Sequence, residues 1–362
     1  MSSGLSLFRR LNLLALALCF VVIVFGAYVR LSDAGLGCPD WPGCYGHLVV
    51  PSEEQHVADA NAAFPERPVE AHKGWKEMIH RYIASTLGLL IVVQAFWALF
   101  LRRQGLPVGV AWLLVPLVMF QGLLGMWTVT WQLKPLAVTG HLLGGMSTLA
   151  LLLWLRLSLP GAGAAPVVAP VRREPRNERE AMNQLAESVG EGAPSSLPGW
   201  LRKLALAGLL VVVLQIFLGG WTSTNYAALA CPDLPTCHGR WLPETDYQEA
   251  YTLWRGLGIN YEYGVLDNRA RVTIHFTHRL GAVLVTAVLG LLGLALLLRG
   301  GAWRRHGHAV LGALGLQLLI GISVVHFQLP LWLADAHNAG AAVLLLTLVA
   351  LNHAIFGRRA HD

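Results

Sequence analysis

The feature that most constrains this chain is a set of eight apolar runs, each long enough to cross a lipid bilayer. A spanning helix needs about 20 mostly apolar residues. By that measure spans are expected at 11–31, 77–100, 109–131, 136–157, 201–222, 272–298, 309–326 and 334–356. Only 13% of the 362 residues are charged, against about 25% in soluble proteins. So few charges cannot cover a water-exposed surface, which excludes a large soluble enzyme as well as disordered and fibrous chains. The net charge of +6 does not call for nucleic acid, because the basic residues sit at the ends of apolar runs, as membrane topology requires. The expected fold class is an all-α membrane protein with eight transmembrane helices surrounded by membrane lipid.

Direction follows from the short loops. Arg9 and Arg10, Arg102 and Arg103, Arg202 and Lys203, Arg299, Arg304 and Arg305, and Arg358 and Arg359 fall on one side of an eight-helix arrangement. Basic residues in such loops mark the cytoplasmic side, so both termini are expected there. The long loops near 32–76 and 223–271 then face outward. The first run follows two arginines, as a signal peptide would, but it is too long and no small-residue cleavage site follows it. It reads as a retained helix. The stretch 160–199, rich in Ala, Pro, Glu and Arg, reads as a cytoplasmic tether without a fold of its own.

The chain is also duplicated. Cys38-Pro-Asp-Trp-Pro-Gly-Cys44-Tyr-Gly46 matches Cys231-Pro-Asp-Leu-Pro-Thr-Cys237-His-Gly239 at an offset of 193, which also aligns Gly26 with Gly219. His80-Arg81 matches His278-Arg279 at an offset of 198, and Gln121, Gly125 and His141 match Gln317, Gly321 and His337 at 196. Small drifts confined to loops are what duplication followed by divergence leaves. The expected organisation is a four-helix half over 1–159, the linker 160–199, and a second four-helix half over 200–362. Four helices is an even number, so both halves enter the membrane in the same direction. Two tandem bundles related by a pseudo-twofold axis along the membrane normal are expected.

Of the 14 histidines, most fall where solvent or the interface explains them: His47, His56, His72 and His238 in outer loops, and His306, His308 and His361 in the cytoplasm. His326 closes the seventh span without a repeat partner, and His353 sits where it can snorkel to the cytoplasmic interface. His80, His141, His278 and His337 differ. Each lies a few residues inside the outer end of an even-numbered span, about 5–8 Å below the interface at 1.5 Å per residue. Polar groups at that depth are costly and usually functional. Interhelical hydrogen bonding is the bland alternative. Zinc would want three or four ligands, whereas a haem iron is satisfied by one imidazole on each face, and bundle interiors commonly hold cofactors. Two haem sites are therefore expected, one per half. Gly88, Gly144, Gly145, Gly281 and Gly340 would let helices accommodate a flat macrocycle. Arg81 and Arg279, each beside a ligand, are placed to pair with haem propionates.

The halves stop matching at Glu77, three residues before His80 and on the same helical face; the second half has His275 there. A carboxylate beside one haem only suggests an acid/base at one site and an electron relay at the other. An interfacial acid favoured by a helix N-terminus is the competing reading. Cys19, alone inside the first span, reads as packing. The remaining cysteines are expected as Cys38–Cys44 and Cys231–Cys237 disulfides on the oxidising outer side, structural staples rather than redox-active bridges.

Taken together, Glu77-x-x-His80-Arg81, His141, His278-Arg279, His337 and the paired outer cysteines resemble the haem A synthase family of respiratory membranes. The resemblance covers both halves and omits only the 160–199 linker. It implies oxidation of the ring methyl of haem O to the formyl group of haem A, the cofactor of terminal oxidases. It further implies haem O held by His80 and His141, a haem b cofactor held by His278 and His337, and Glu77 as catalytic acid/base. The location implied is the bacterial inner membrane. Haem O synthase and oxidase assembly factors are the protein partners it brings in, with an electron acceptor left unknown. With both axial positions of the substrate iron filled, either one histidine leaves or water attacks an oxidised methyl while the other haem takes electrons and Glu77 a proton. The runner-up is a di-haem b cytochrome passing electrons from quinol; a transporter built on parallel repeats is a third reading, one that predicts no haem.

Overall fold

The computed structural model describes residues 3–160 and 197–357; most of the expected linker, with Arg358, Arg359 and His361, lies outside the described residues. Among the described residues, ten α-helices follow one another: α1 (Ser3–Leu31), α2 (Glu54–Ala63), α3 (Ala71–Phe100), α4 (Val108–Thr130), α5 (Pro135–Leu157), α6 (Gly199–Thr224), α7 (Tyr247–Ala250), α8 (Asn268–Arg299), α9 (Gly301–His326) and α10 (Leu331–Phe356). All except α2 and α7 are long and apolar enough to cross a membrane, matching the eight expected spans one for one. The protein is a multi-pass membrane protein.

Several spans run past their apolar cores. α3 begins at Ala71 instead of 77, and α9 at Gly301 instead of 309. An apolar-run criterion stops where the lipid stops, whereas backbone hydrogen bonding continues into the interface. The ends carry local signals. The Asp267 side chain accepts a hydrogen bond from Ala270 N at 2.7 Å and caps α8. Pro135 opens α5, where its missing N–H costs nothing. The turns before α5 and α10 repeat each other: Gln132 and Leu133 have φ of 48° and 60°, and Gln328 and Leu329 have 59° and 62°.

Helix contacts form two rings of neighbours. In the first, α1 packs on α3, α3 on α4, α4 on α5 and α5 on α1; in the second, α6 packs on α8, α8 on α9, α9 on α10 and α10 on α6. The rings meet through α1, α5, α6 and α10. Buried amides tie the rings internally, since lipid offers no competing partner for them. Asn12 Nδ2 donates to Gln94 Oε1 at 3.3 Å and to Leu152 O at 3.4 Å. Asn352 Nδ2 donates to Ala205 O at 3.2 Å. Between rings, the Arg30 guanidinium donates to Ser223 O and lies 4.3 Å from the Tyr226 ring centre. His353 packs on Trp154 and shares a 2.9 Å hydrogen bond with Ser158. It therefore links the two rings, where the sequence suggested a snorkelling side chain.

The four-helix ends nearest the cysteines carry two matching hairpins. Both disulfides are present, Cys38–Cys44 and Cys231–Cys237, each with Cα atoms 4.8 Å apart. Cys44 pairs with His47 and Cys237 with Arg240 in short antiparallel bridges. The aspartates of the repeated motif explain its shape. Asp40 accepts from the backbone N–H groups of Tyr45 and Gly46, both at 2.7 Å. Asp233 does the same for His238 and Gly239 at 2.6 and 3.0 Å, and takes the Thr236 hydroxyl as well. These bonds fold a tight turn whose Gly46 and Gly239 need positive φ. They also hold the Asp233 carboxyl below the usual range, the Thr236 hydroxyl being the largest influence.

Candidate functional site

The four singled-out histidines come together in two pairs. The rings of His80 (α3) and His141 (α5) have centroids 6.5 Å apart at an interplanar angle of 80°. Those of His278 (α8) and His337 (α10) are 6.5 Å apart at 81°. Each ring lies over a glycine of a neighbouring helix. A Cβ on Gly26 would meet His80 Cε1 at 2.7 Å, and one on Gly321 would meet His337 Cε1 at 2.8 Å. The same contact is 3.3 Å at Gly219 with His278 and 3.5 Å at Gly125 with His141. Glycine on helices α1, α4, α6 and α9 thus makes the room in which the imidazoles stand. The Nδ1 atoms of His80, His141 and His337 are buried without a protein partner, an arrangement that costs about 1–3 kcal/mol per group unless something else is gained.

Glu77 and His275 occupy the same place in the two halves, and both hold a hairpin. Glu77 Oε2 accepts from Cys38 N at 2.9 Å, and its Oε1 accepts from Arg81 Nη2 at 2.5 Å. His275 Nδ1 lies 3.2 Å from Cys231 N and its Nε2 lies 3.2 Å from Arg279 Nε, contacts of which a neutral imidazole accepts one. Both groups are buried, Glu77 to 5% exposure and His275 to 4%. The two arginines complete the clamp. Arg81 donates to the carbonyls of Asp40, Pro42 and Gly43; Arg279 donates to those of Cys231, Asp233 and Thr236. The guanidinium groups read from sequence as propionate partners thus spend their hydrogen bonds on hairpin carbonyls. Sequence spacing placed them beside the ligands but carried no sign of the hairpin folding back onto α3 and α8.

Three glutamines lie against the pairs. A Cβ at Gly144, Gly281 or Gly340 would collide with the amide of Gln121, Gln215 or Gln317 respectively. Gln317 Nε2 donates to His337 O at 3.0 Å. Gln215 Nε2 lies 3.1 Å from His278 Nδ1 and donates to His278 O at 3.0 Å. Gln121 and Gln317 were visible as repeat matches; Gln215 has no match in the first half, and only an intramembrane amide one turn from Gly219 hinted at it. Other histidines stay apart: His47 faces His56 of α2, and His326 packs on Phe327. Among the described residues, no group of three or more His, Cys, Asp or Glu side chains is placed around one point.

A two-histidine donor set fits a planar iron macrocycle. Two metal–nitrogen bonds of about 2 Å, plus about 1.1 Å from each nitrogen to its ring centre, put two axial imidazole centroids about 6.2 Å apart. The observed 6.5 Å in both pairs is close to that value. The glycine floors and unpartnered ring nitrogens suit ligands held for a group from outside the chain.

Comparison with known proteins agrees with this geometry. The family model for the cytochrome oxidase assembly protein (COX15-CtaA) matches residues 9–349. The haem A synthase of Shewanella oneidensis is 44% identical over 94% of this chain and 94% of its own length. Those of a Bradyrhizobium species and of Caulobacter vibrioides are each 27% identical, over 94% and 92% of this chain and 88% and 92% of theirs. Similarity that spans both rings of helices, at this level, leaves one assignment: the chain belongs to the cytochrome oxidase assembly family that these haem A synthases represent.

Proposed function

We propose that this chain is a haem A synthase, an oxidoreductase that converts the ring methyl of haem O to the formyl group of haem A. The observation that carries the reading is the pair of His–His sets at ligating separation, in a chain related along its length to haem A synthases. In this reading 1–159 and 200–362 are two four-helix halves about a pseudo-twofold axis along the membrane normal, joined by 160–199. The repeated hairpins, turns and neighbour rings support it. The hairpins face outward and both termini lie in the cytoplasm of a bacterial inner membrane, as the loop arginines favour.

The first half binds haem O as substrate through His80 and His141. The second half binds haem b through His278 and His337, and that group supplies an electron acceptor when bound. Oxidising a methyl to a formyl group with water releases more electrons than one haem iron takes, so they would pass on to an electron acceptor outside the chain. It also releases protons, for which the first site needs an acceptor. Glu77 is the group of the right type, three residues from His80. Its Oε1 and Oε2 each accept one bond, from Arg81 and Cys38 N, which leaves a lone pair on each oxygen to take a proton. Arg81 and Arg279 serve their haems by fixing the hairpin beside each ligand; a propionate would compete for the same guanidinium. Haem O synthase and oxidase assembly factors remain the proposed protein partners.

One observation favours a di-haem b electron carrier instead: Glu77 and His275 anchor their hairpins in the same way, so the acid has a structural job without chemistry. Extraction and chromatography of haem from the purified protein decides between them. Haem b accompanied by haem O or haem A is expected; protohaem alone at both sites would overturn the synthase reading.

A further inference from the structure

The two ligand sets differ in their glutamine contacts: Gln317 bonds His337 where Gln121 Nε2 has no partner, and a second difference lies at Gln215. In the second half Gln215 sits on α6 four residues before Gly219, so both face α8. His278 stands over Gly219, and the Gln215 amide reaches both the Nδ1 and the carbonyl of His278. The amide fits only because residue 281 is glycine, since a Cβ there would strike Gln215 Oε1. At the repeat offsets of 193 and 198, the first half has Val22 for Gln215 and Ile83 for Gly281. A polar side chain and the gap that admits it have been exchanged together for two branched apolar residues. His80 Nδ1 is accordingly buried with no partner.

We propose that Gln215 is a positioning residue that locks His278 as an axial ligand for a resident haem, while Val22 and Ile83 leave His80 unlocked so that the haem held there exchanges. This rests on the haem assignment above and adds which residue holds the resident group in place. An amide at Nδ1 leaves Nε2 as the ligating nitrogen. With Nε2 on a metal, Nδ1 carries the proton, and the amide turns to present Oε1, which has no other partner here, giving up its bond to the His278 carbonyl. A hydrogen bond to the non-ligating nitrogen fixes ring orientation and raises ligand basicity, and losing one commonly costs 10–100-fold in metal affinity. A more basic ligand also favours the ferric over the ferrous state. An enzyme whose substrate and cofactor are both haems needs this difference in retention, since one must leave and the other must stay.

The test uses the full-length protein in detergent, reading haem loss to apomyoglobin and the midpoint potential of the low-spin signal. Gln215→Val is expected to speed loss of the second-half haem about 10–100-fold and to raise its midpoint potential, by 59 mV for each tenfold change in relative affinity for the two oxidation states. Gln215→Glu, a stronger acceptor, should retain the haem and lower the potential. A Val22→Gln, Ile83→Gly double variant should slow loss from the first half. Wild-type loss rates and potentials in both Gln215 variants would overturn the inference, as would equal retention by the two halves of the wild-type protein. If His278→Ala leaves the low-spin signal unchanged, the haem assignment itself fails, an outcome separate from either Gln215 result. If Gln215→Val does not fold, the potential of Gln215→Glu decides alone.

Discussion

The two rings of helices share a hairpin, a clamp and a pair of imidazoles, yet differ at several positions near those imidazoles, three of which change the polar contacts there. Glu77 stands against His275, Val22 against Gln215 and Ile83 against Gly281. Each difference leaves the local architecture in place: both hairpins are held, and both histidine pairs sit at 6.5 Å. What changes is chemistry: a carboxylate in one half, a polar lock in the other. On the proposed reading, a duplicated scaffold carries one site for turnover and one for retention without altering how either is built.

The largest effects should come from the ligands. His278→Ala or His337→Ala should abolish the tightly held low-spin haem spectrum, because an axial position is lost. His80→Ala or His141→Ala should leave that spectrum and stop haem A formation. Optical spectra of the four purified variants check this, and the same spectral loss from either pair would erase the distinction between halves.

The clamps should differ next. Arg81→Ala strands the buried Glu77 carboxylate, and breaking a buried ion pair from one side costs about 3–5 kcal/mol. Arg279→Ala strands only a neutral hydrogen-bonding partner, at about 1–3 kcal/mol. Thermal unfolding in detergent should therefore show the larger loss in the first half. Equal losses would mean that Glu77 is not held as a charged partner.

The glycine floors give a finer comparison. Alanine in a helix normally gains about 1 kcal/mol over glycine, so loss of haem in an alanine variant isolates the clash with the ring. Gly26→Ala and Gly321→Ala should weaken haem retention, since their Cβ atoms would stand at 2.7 and 2.8 Å from His80 and His337. Gly125→Ala, at 3.5 Å from His141, should be tolerated. Haem content per chain after purification measures it.

Much of this was legible in the sequence because lipid imposes simple rules. Eight runs of apolar residues had to be helices, and His80, His141, His278 and His337 stood out as polar groups placed where burial is costly. The repeat was legible because its motif is rigid: two prolines, two cysteines and an aspartate in nine residues. Helix ends were under-read because interfacial residues such as Ala71–Lys76 are polar yet helical. The partners of Arg81 and Arg279 were not legible, since the hairpin returns to its helix through contacts separated by about 40 residues in the chain. Helices α2 and α7 escaped because short, mixed segments carry no period. Gln215 escaped because repeat matching rewards what is shared, and its meaning lies in what is not.

The smallest expected effect concerns acid. The Asp233 carboxyl is held below the ordinary range by the Thr236 hydroxyl and the backbone N–H groups of Gly239 and His238. A depressed folded-state value means the contribution is complete above the unfolded value of about 3.9 and is lost progressively as pH falls from there through the lower one. Hydrogen exchange of the 231–240 hairpin should stay constant from pH 7 to about 4 once the intrinsic rate is removed. Loosening already at pH 5 would show that Asp233 does not hold the turn.

The central claim is that the first half does chemistry on its haem, with Glu77 as the proton carrier, while the second half does not. Glu77→Gln keeps the size of the side chain and an oxygen to accept from Cys38 N, and removes the carboxylate. The direct measurement is the haem O to haem A ratio in membranes carrying matched amounts of wild-type or Glu77→Gln protein, with the second-half haem spectrum recorded on the same samples. An unchanged spectrum and haem A formation reduced by about 10²–10⁴-fold are expected. A wild-type ratio in the variant would contradict the central claim and leave Glu77, like His275, a residue that only holds its hairpin.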